Sequence, residues 1–287
     1  MKTFRDFWEY LGLYGKRVII IHHDDLALFR SQNEAFRRLP YPTGSILMPS
    51  PWVPELVLNC KKDADLGVHL TLTSEWRHYR FRPLTCGGSL VDSQGYMWAT
   101  VEEVWKHARI KEVEAELRTQ IEAALKLGID VTHIDTHMGS VLRPDITAVY
   151  VKLACEYRVP ALLPETVDIP QIPEFIRRML KPLLDKVKLP RFRLLDFYGV
   201  KLGERKRCLR NLLLNQEPGV YHLIHHSCLR TDESRDLPDI DLREDDFKIL
   251  SDPEIRRIIE ERWELVTYRM IRDGLRKYLG SEPWCEF

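Results

Sequence analysis

Along its whole length this chain alternates short apolar runs with longer amphipathic ones, and few architectures accommodate that pattern. Strands are expected at 17–23, 45–48, 66–72, 131–135, 161–163, 192–197, 220–225 and 264–268. Between them, 100–128 ("TVEEVWKHARIKEVEAELRTQIEAALKLG") is the clearest helix. Thr100 and Glu103 have capping-box spacing, Leu117, Ile121 and Leu125 share a face, and Gly128 can end it. Further helices are expected at 145–158, 173–187, 204–215 and 252–261. Such alternation specifies an α/β protein with a parallel sheet, open or closed. With no repeat, low-complexity tract or linker to divide it, the chain is expected to be one domain over 1–287, a length that a single α/β barrel can fill. One segment breaks the rhythm, the insertion 74–99 ("SEWRHYRFRPLTCGGSLVDSQGYMWA"). Loops of that size in compact domains are usually functional.

Charge and composition exclude several classes. Forty-three basic and 43 acidic residues cancel, so no global field draws the protein to nucleic acid or to anionic membranes. The apolar runs fall far short of the ~20 residues a membrane helix needs. "MKTFRDFWEYLGLYGKR" carries charges throughout, unlike a signal peptide. The six cysteines are scattered without a CxxC pair, so reduced thiols in a cytoplasmic protein are expected rather than a zinc ribbon or a disulfide scaffold. A homodimer is compatible with this composition.

The polar residues at strand ends are more informative. "VIIIHHDD" drives the most apolar strand into His22, His23, Asp24 and Asp25. "DLGVHLTLTSEW" carries His69, "VTHIDTHMGS" carries His133, Asp135 and His137, and "GVYHLIHHSC" ends in His225 and His226. Each has a plain explanation. An Asp pair can cap a turn or helix, His69 can be a satisfied core histidine, and alternating 133, 135 and 137 can form an ordinary polar face. His222 lies deeper in its strand and is expected to be structural. In a parallel α/β protein, however, all C-terminal strand ends share one mouth. Four strands ending this way point together to a divalent-metal site. Two histidines and a carboxylate are a common catalytic set with open positions for water and substrate. A neighbouring carboxylate can take a proton from water, and a histidine opposite can give one to a leaving amine. No thiolate joins the cluster, which favours a labile hydrolytic metal over structural zinc.

The ordered set "IHHDDLAL" with Asn33–Glu34–Ala35, "DLGVHLTLTSEW", "THIDTHMGSVLRP" and "GVYHLIHHSC" resembles the YdjC-like carbohydrate deacetylases over nearly the whole chain. The resemblance implies a distorted (β/α) barrel of about seven strands, polysaccharide-deacetylase-like. It also implies metal-dependent removal of acetyl groups from N-acetylated sugars. Carried over by motif, Asp24 is the general base, Asp25, His69 and His137 are metal ligands, and His226 is the general acid. One divalent ion is implied, zinc or magnesium, with manganese, cobalt or nickel as alternatives. Trp76, Asp135 and Met138 are expected to touch the sugar, and the aromatics Trp76, Tyr79, Phe81, Tyr96 and Trp98 of the insertion either cover it or pack their own loop. Departures occur at Ala27, where the family has glycine, at Met138, Gly139 and Val141, where it often has histidines, and at Ser227, where it has proline. They leave the reaction centre intact and the sugar open. A non-sugar amide or ester hydrolase and a catalytically silent metabolite-binding barrel are the competing readings.

Overall fold

In the computed structural model, which describes residues 4–166 and 174–285, the chain opens with α1 (Phe4–Tyr10), β1 (Arg17–Leu26), α2 (Arg30–Arg38), β2 (Thr43–Ile46), α3 (Val53–Asn59) and β3 (Asp65–Leu70). After the long connection come α4 (Val101–His107), α5 (Ile110–Lys126), β4 (Ile134–Thr136), α6 (Pro144–Tyr157) and α7 (Glu174–Leu184). Then follow β5 (Arg193–Leu195), α8 (Arg205–Leu214), β6 (Gly219–His225), α9 (Ile240–Ser251), α10 (Pro253–Arg262), β7 (Glu264–Leu265) and α11 (Tyr268–Leu279). All strand pairs are parallel, in the order β4-β3-β2-β1-β6-β5, and β7 pairs with β1.

This seven-stranded sheet curls into the distorted barrel expected from the resemblance. Its two edges are joined through segment 161–164. Leu162 N–H donates to Ile134 O at 2.9 Å, and Phe192 N–H donates to Leu163 O at 2.9 Å. Central β1 shows why four β-branched residues occur in a row. Val18 and Ile20 pack into one cluster with Phe192 and Tyr268, while Ile19 and Ile21 pack into another with Leu209, Leu223 and Ile255. Successive side chains point to opposite faces, and here both faces are buried. Full burial of each such side chain stabilises the fold by about 1.5–3 kcal/mol.

Several elements differ from expectation. The helix over 100–128 is two helices, α4 and α5. The Thr100–Glu103 capping box forms, with Glu103 N–H donating to Thr100 Oγ1 and Thr100 N–H to Glu103 Oε2, both at 3.2 Å. Ala108 and Arg109 are nevertheless extended. Tertiary partners hold that break. Arg143 donates to the carbonyls of Trp105 and Ala108 at 2.6 and 2.9 Å, and Arg109 N–H donates to Ser89 Oγ at 2.9 Å. Gly128, at φ +80°, follows the end of α5 as expected. Segment 161–163 makes single bridges rather than a strand. Of 264–268 only Glu264–Leu265 is strand, because Thr267 caps α11 by accepting from Met270 N–H at 3.2 Å. Helices α1, α2, α3, α9 and α11 go beyond the expected set, each of them short or densely charged. The expected helix start at Pro173 lies outside the described residues. The thiols also depart from expectation: Cys155 on α6 and Cys285 form a disulfide, because the fold returns the C-terminal segment over α6. Cys60, Cys86, Cys208 and Cys228 are free.

Candidate active site

The end of β1 builds the site by breaking its own alternation. Asp24 continues the face of His22, and strict alternation would turn Asp25 away with His23. Instead the pairing with β2 shifts register between His23 and Leu26, and Asp25 takes φ +61°. A non-glycine residue in that region costs about 1–2 kcal/mol, and aspartate is one of the few that visits it. Such strain is characteristic of functional sites. Both carboxylates therefore line one cavity of about 520 Å³, together with His69, Glu75, Trp76, His137, Met138, Tyr198, His226, Asp239 and Arg243. Ala27 follows at φ +72°, so the loop keeps the left-handed bend that glycine would adopt without strain.

Asp25 Oδ1 lies 3.3 Å from His69 Nε2 and 3.0 Å from His137 Nδ1, yet makes no well-aligned hydrogen bond. These three groups offer ligand atoms all within 4.8 Å of one another. Asp25 Oδ2 is held by Arg243 Nη2 of α9 at 2.9 Å. The outward nitrogen of each ring meets a carboxylate. His69 Nδ1 is 3.0 Å from both Ser45 Oγ and Asp135 Oδ1, and Ser45 Oγ–H donates to Asp135 Oδ2 at 2.9 Å, so the serine links ring and carboxylate. His137 Nε2 is 2.8 Å from Glu75 Oε1. Carboxylate-backed histidines are the usual support of metal ligands. Two imidazole nitrogens and one carboxylate oxygen, converging without hydrogen-bond geometry, fit a divalent cation.

Electrostatics agree with that fit. Burial would raise the Asp25 carboxyl, but the His137 and Arg243 charges outweigh it and hold Asp25 well below the usual carboxylate range. Burial opposes a charge on His69 and His137 too. Asp135 and Asp25 nonetheless raise His69 well above its ordinary value, and Glu75 and Asp25 raise His137 to about 9. The cluster is short of positive charge, and protons on these rings supply it when no metal does.

Asp24 stands beside this set. Its Oδ1 receives His22 Nδ1–H at 2.6 Å, and its Oδ2 lies 3.9 Å from His226 Nε2. Burial works against its ionisation, but the His22 hydrogen bond and the His69 charge prevail and keep it below the ordinary range. His226 N–H donates to Asp246 Oδ2 at 2.8 Å, and its ring packs 4.8 Å from Tyr198. His225 turns the other way, accepting from Ser227 Oγ–H at 2.9 Å, with its ring 4.5 Å from His23. His222 Nδ1 shares a hydrogen bond with the Tyr268 hydroxyl at 2.9 Å, and its ring lies 4.5 Å from the His22 ring.

The expected residues Asp24, Asp25, His69, His137 and His226 thus meet at one cavity. Trp76 lines it, 5.3 Å from the His137 ring, and Met138 stands at its rim, 58% exposed. Asp135 departs from the expected place at the sugar: it is buried behind His69 and is not among the residues lining the cavity. Of the insertion's aromatics, Trp76 reaches the cavity. Phe81 packs with Leu28 and Phe29, Tyr79 packs edge-on to Phe29, Tyr96 lies under Arg80 and Arg82, and Trp98 stacks on His107. Glu75 and Arg243 are additions. Glu75 could have been noticed as a carboxylate just beyond a strand end. Arg243 sits on a charged helix, where nothing local marks it.

Comparison with known proteins follows the same lines. The profile of the family described as YdjC-like protein matches residues 18–261. A protein of Thermus thermophilus named carbohydrate deacetylase is 46% identical over 270 residues, covering 94% of this chain and 99% of its own. A carbohydrate deacetylase of Thermoanaerobacter pseudethanolicus is 24% identical over 262 residues, covering 88% and 97%. A solved structure from Enterococcus faecalis, named for cellobiose-phosphate cleavage, superposes with a TM-score of 0.73 at 21% identity, covering 89% of this chain and 99% of that one. At that identity it speaks for the shared fold.

Proposed function

The chain belongs to the YdjC-like family, and on that premise we propose that it is a metal-dependent hydrolase removing the acetyl group from an N-acetylated amino sugar or short oligosaccharide. The observation that carries this reading is the convergence of Asp25, His69 and His137, with Asp24 beside them and His226 across from Asp24. A divalent ion held by those three residues, zinc or magnesium, would polarise the acetyl carbonyl and acidify a water molecule.

The chain's own groups account for the proton movements. Asp24 Oδ2 faces the cavity, while Oδ1 is occupied by His22. It takes a proton from the water whose oxygen attacks the acetyl carbon. As the carbon–nitrogen bond breaks, His226 Nε2 gives a proton to the departing amine, leaving acetate and a free amino sugar. Arg243 holds Asp25 in its strained conformation, and Asp135 and Glu75 fix the two rings. Trp76 presents an apolar wall at the same mouth, suited to the face of a pyranose.

An acetate-release screen tests this reading. The metal-free protein, supplemented in turn with zinc, magnesium, manganese, cobalt and nickel, is assayed on N-acetylglucosamine and diacetylchitobiose. Metal-dependent release of acetate and free amine is expected. Hydrolysis of simple amides or esters without acetylated-sugar turnover would transfer the chemistry to a non-sugar substrate. Stoichiometric metal with no hydrolysis at all would make the protein a binding barrel.

A further inference from the structure

Below the cavity, a line of buried groups runs from the base into the core. His22 Nε2 lies 2.7 Å from His133 Nε2, and His133 Nδ1 lies 2.9 Å from Thr132 Oγ1. His22 and His133 are both 0% exposed. Of two facing ring nitrogens, one must carry the hydrogen. Ionised Asp24 only accepts, so His22 carries hydrogen on Nδ1. A neutral His22 then offers a bare Nε2, and His133 must donate from its own Nε2. His133 Nδ1 is left as an acceptor. The Thr132 hydroxyl has two acceptors in reach, Leu66 O at 3.1 Å and His133 Nδ1 at 2.9 Å. Because Leu66 O already receives Thr132 N–H at 2.9 Å, the line gives the hydroxyl hydrogen to the nearer nitrogen. The alternative, hydrogen on both nitrogens of His22, puts a cation 4.8 and 4.5 Å from the His133 and His222 rings, with Asp24 Oδ1 2.6 Å from its Nδ1 and Asp135 Oδ2 3.8 Å from its Nε2. The nitrogen spectra below tell the two arrangements apart.

The surroundings hold this line in place. The His133 ring stacks on Tyr268 with centroids 3.9 Å apart. It also occupies space that only glycine leaves open, since a Cβ on Gly67 would fall 2.5 Å from the ring. We propose that His133 and His22 are positioning residues for the base. His133 Nε2–H fixes the His22 tautomer, His22 Nδ1–H pins Asp24 Oδ1, and Oδ2 is the oxygen left to meet the reacting water. The inference rests on the assignment of Asp24 as base. Neither residue touches substrate, and neither is one of the three proposed ligands.

Two measurements on the whole protein test it. In ¹⁵N-histidine-labelled protein, metal-free and zinc-loaded, nitrogen shifts should show His22 protonated at Nδ1 and His133 at Nε2, with scalar coupling across the shared hydrogen. A doubly protonated His22, or no coupling, overturns the line whatever the activity. For turnover, His133→Phe keeps an aromatic ring but removes the donor. It should lower kcat on diacetylchitobiose by about 10²-fold, the scale set by small misplacements of catalytic groups, with KM and metal content unchanged. His133→Gln, whose amide N–H can stand near the lost Nε2–H, should recover most of that loss. Equal activity of His133→Phe and wild type, or failure of both variants through lost metal or unfolding, overturns the positioning role. Full turnover by Asp24→Asn would instead overturn the base assignment and leave the nitrogen spectra standing.

Discussion

Two sets of histidines lie on adjoining levels of this barrel and behave in opposite ways. His69 and His137, at the mouth, are raised above the ordinary histidine range despite complete burial. His133 and His222, beneath them, and His23 and His225, behind, are pushed well down, His23 to about 3. Burial acts on all six in the same sense. The difference lies in what each ring nitrogen meets. At the mouth both nitrogens face carboxylates: Asp25 and Asp135 for His69, Asp25 and Glu75 for His137. Below, each ring has a nitrogen on a hydroxyl, a backbone carbonyl or another ring, while His23 Nδ1, His222 Nε2 and His225 Nε2 have no hydrogen-bond partner among the described residues. The upper set is built to share a positive charge, and the lower set to order neutral hydrogen bonds.

The largest effects should come from breaking the upper set. His69→Ala and His137→Ala should each reduce metal affinity by more than the ~10–100-fold typical of outer partners, and abolish turnover. His225→Leu, in the lower set, should keep its metal and lose only stability. Metal analysis of the purified variants decides, and full occupancy in His69→Ala or His137→Ala would remove that residue from the ligands. Asp24→Asn should keep the metal and lose about 10²–10⁴-fold in kcat, the usual cost of a missing general base. If Asp25→Asn keeps the metal while Asp24→Asn loses it, the roles of the pair are exchanged. His226→Ala should also bind metal normally. Its loss should be greatest on an N-acetyl sugar and smaller on an activated acetyl ester, whose leaving group needs little protonation. Equal losses on both would assign His226 to binding instead. Next in size, Asp135→Asn and Glu75→Gln should each weaken metal binding by about 10–100-fold, measured by competition with a chelator.

Much of this contrast is legible in the sequence, and the reason is topological. Parallel strands deliver their C-terminal ends to one mouth, so Asp24, Asp25, His69, His137 and His226 converge although the chain separates them widely. Alternation likewise tells His226 from His225. What sequence does not carry is contact between unrelated segments. Arg243 comes from a helix of mixed charge, and its contact with Asp25 depends on how α9 packs on the barrel. Asp135 follows the same alternation as His133 and His137, but its carboxylate is drawn behind His69 by Ser45. The break at Ala108 interrupts a segment with helical periodicity because Arg143, from a distant turn, takes the Trp105 and Ala108 carbonyls. The bend at Asp25 is opaque for a similar reason, since its positive φ arises from a register shift against β2.

The smallest effect per residue separates the two sets most cleanly, because they predict opposite limbs of stability against pH. An unfolded histidine titrates near about 6.5. His133, His222, His225 and His23 refuse the proton when folded, so the unfolded chain binds more protons below that pH. Stability then falls as pH drops below about 6.5, by up to about 1.4 kcal/mol per pH unit for each ring. His69 and His137 act in reverse. In the metal-free protein their contribution is full below the unfolded histidine value and is lost as pH rises through their folded values, about 9 for His137. Urea unfolding of the metal-free protein between about pH 5 and 9 should therefore show a maximum near the unfolded histidine value. Saturating metal displaces the protons of the upper set and leaves the lower set untouched. It should erase the alkaline limb and steepen the acid one, because the metal-bound rings no longer hold the protons that the unfolded chain takes up at low pH. If metal flattens both limbs, or neither, the two sets are not the independent devices that their partners make them.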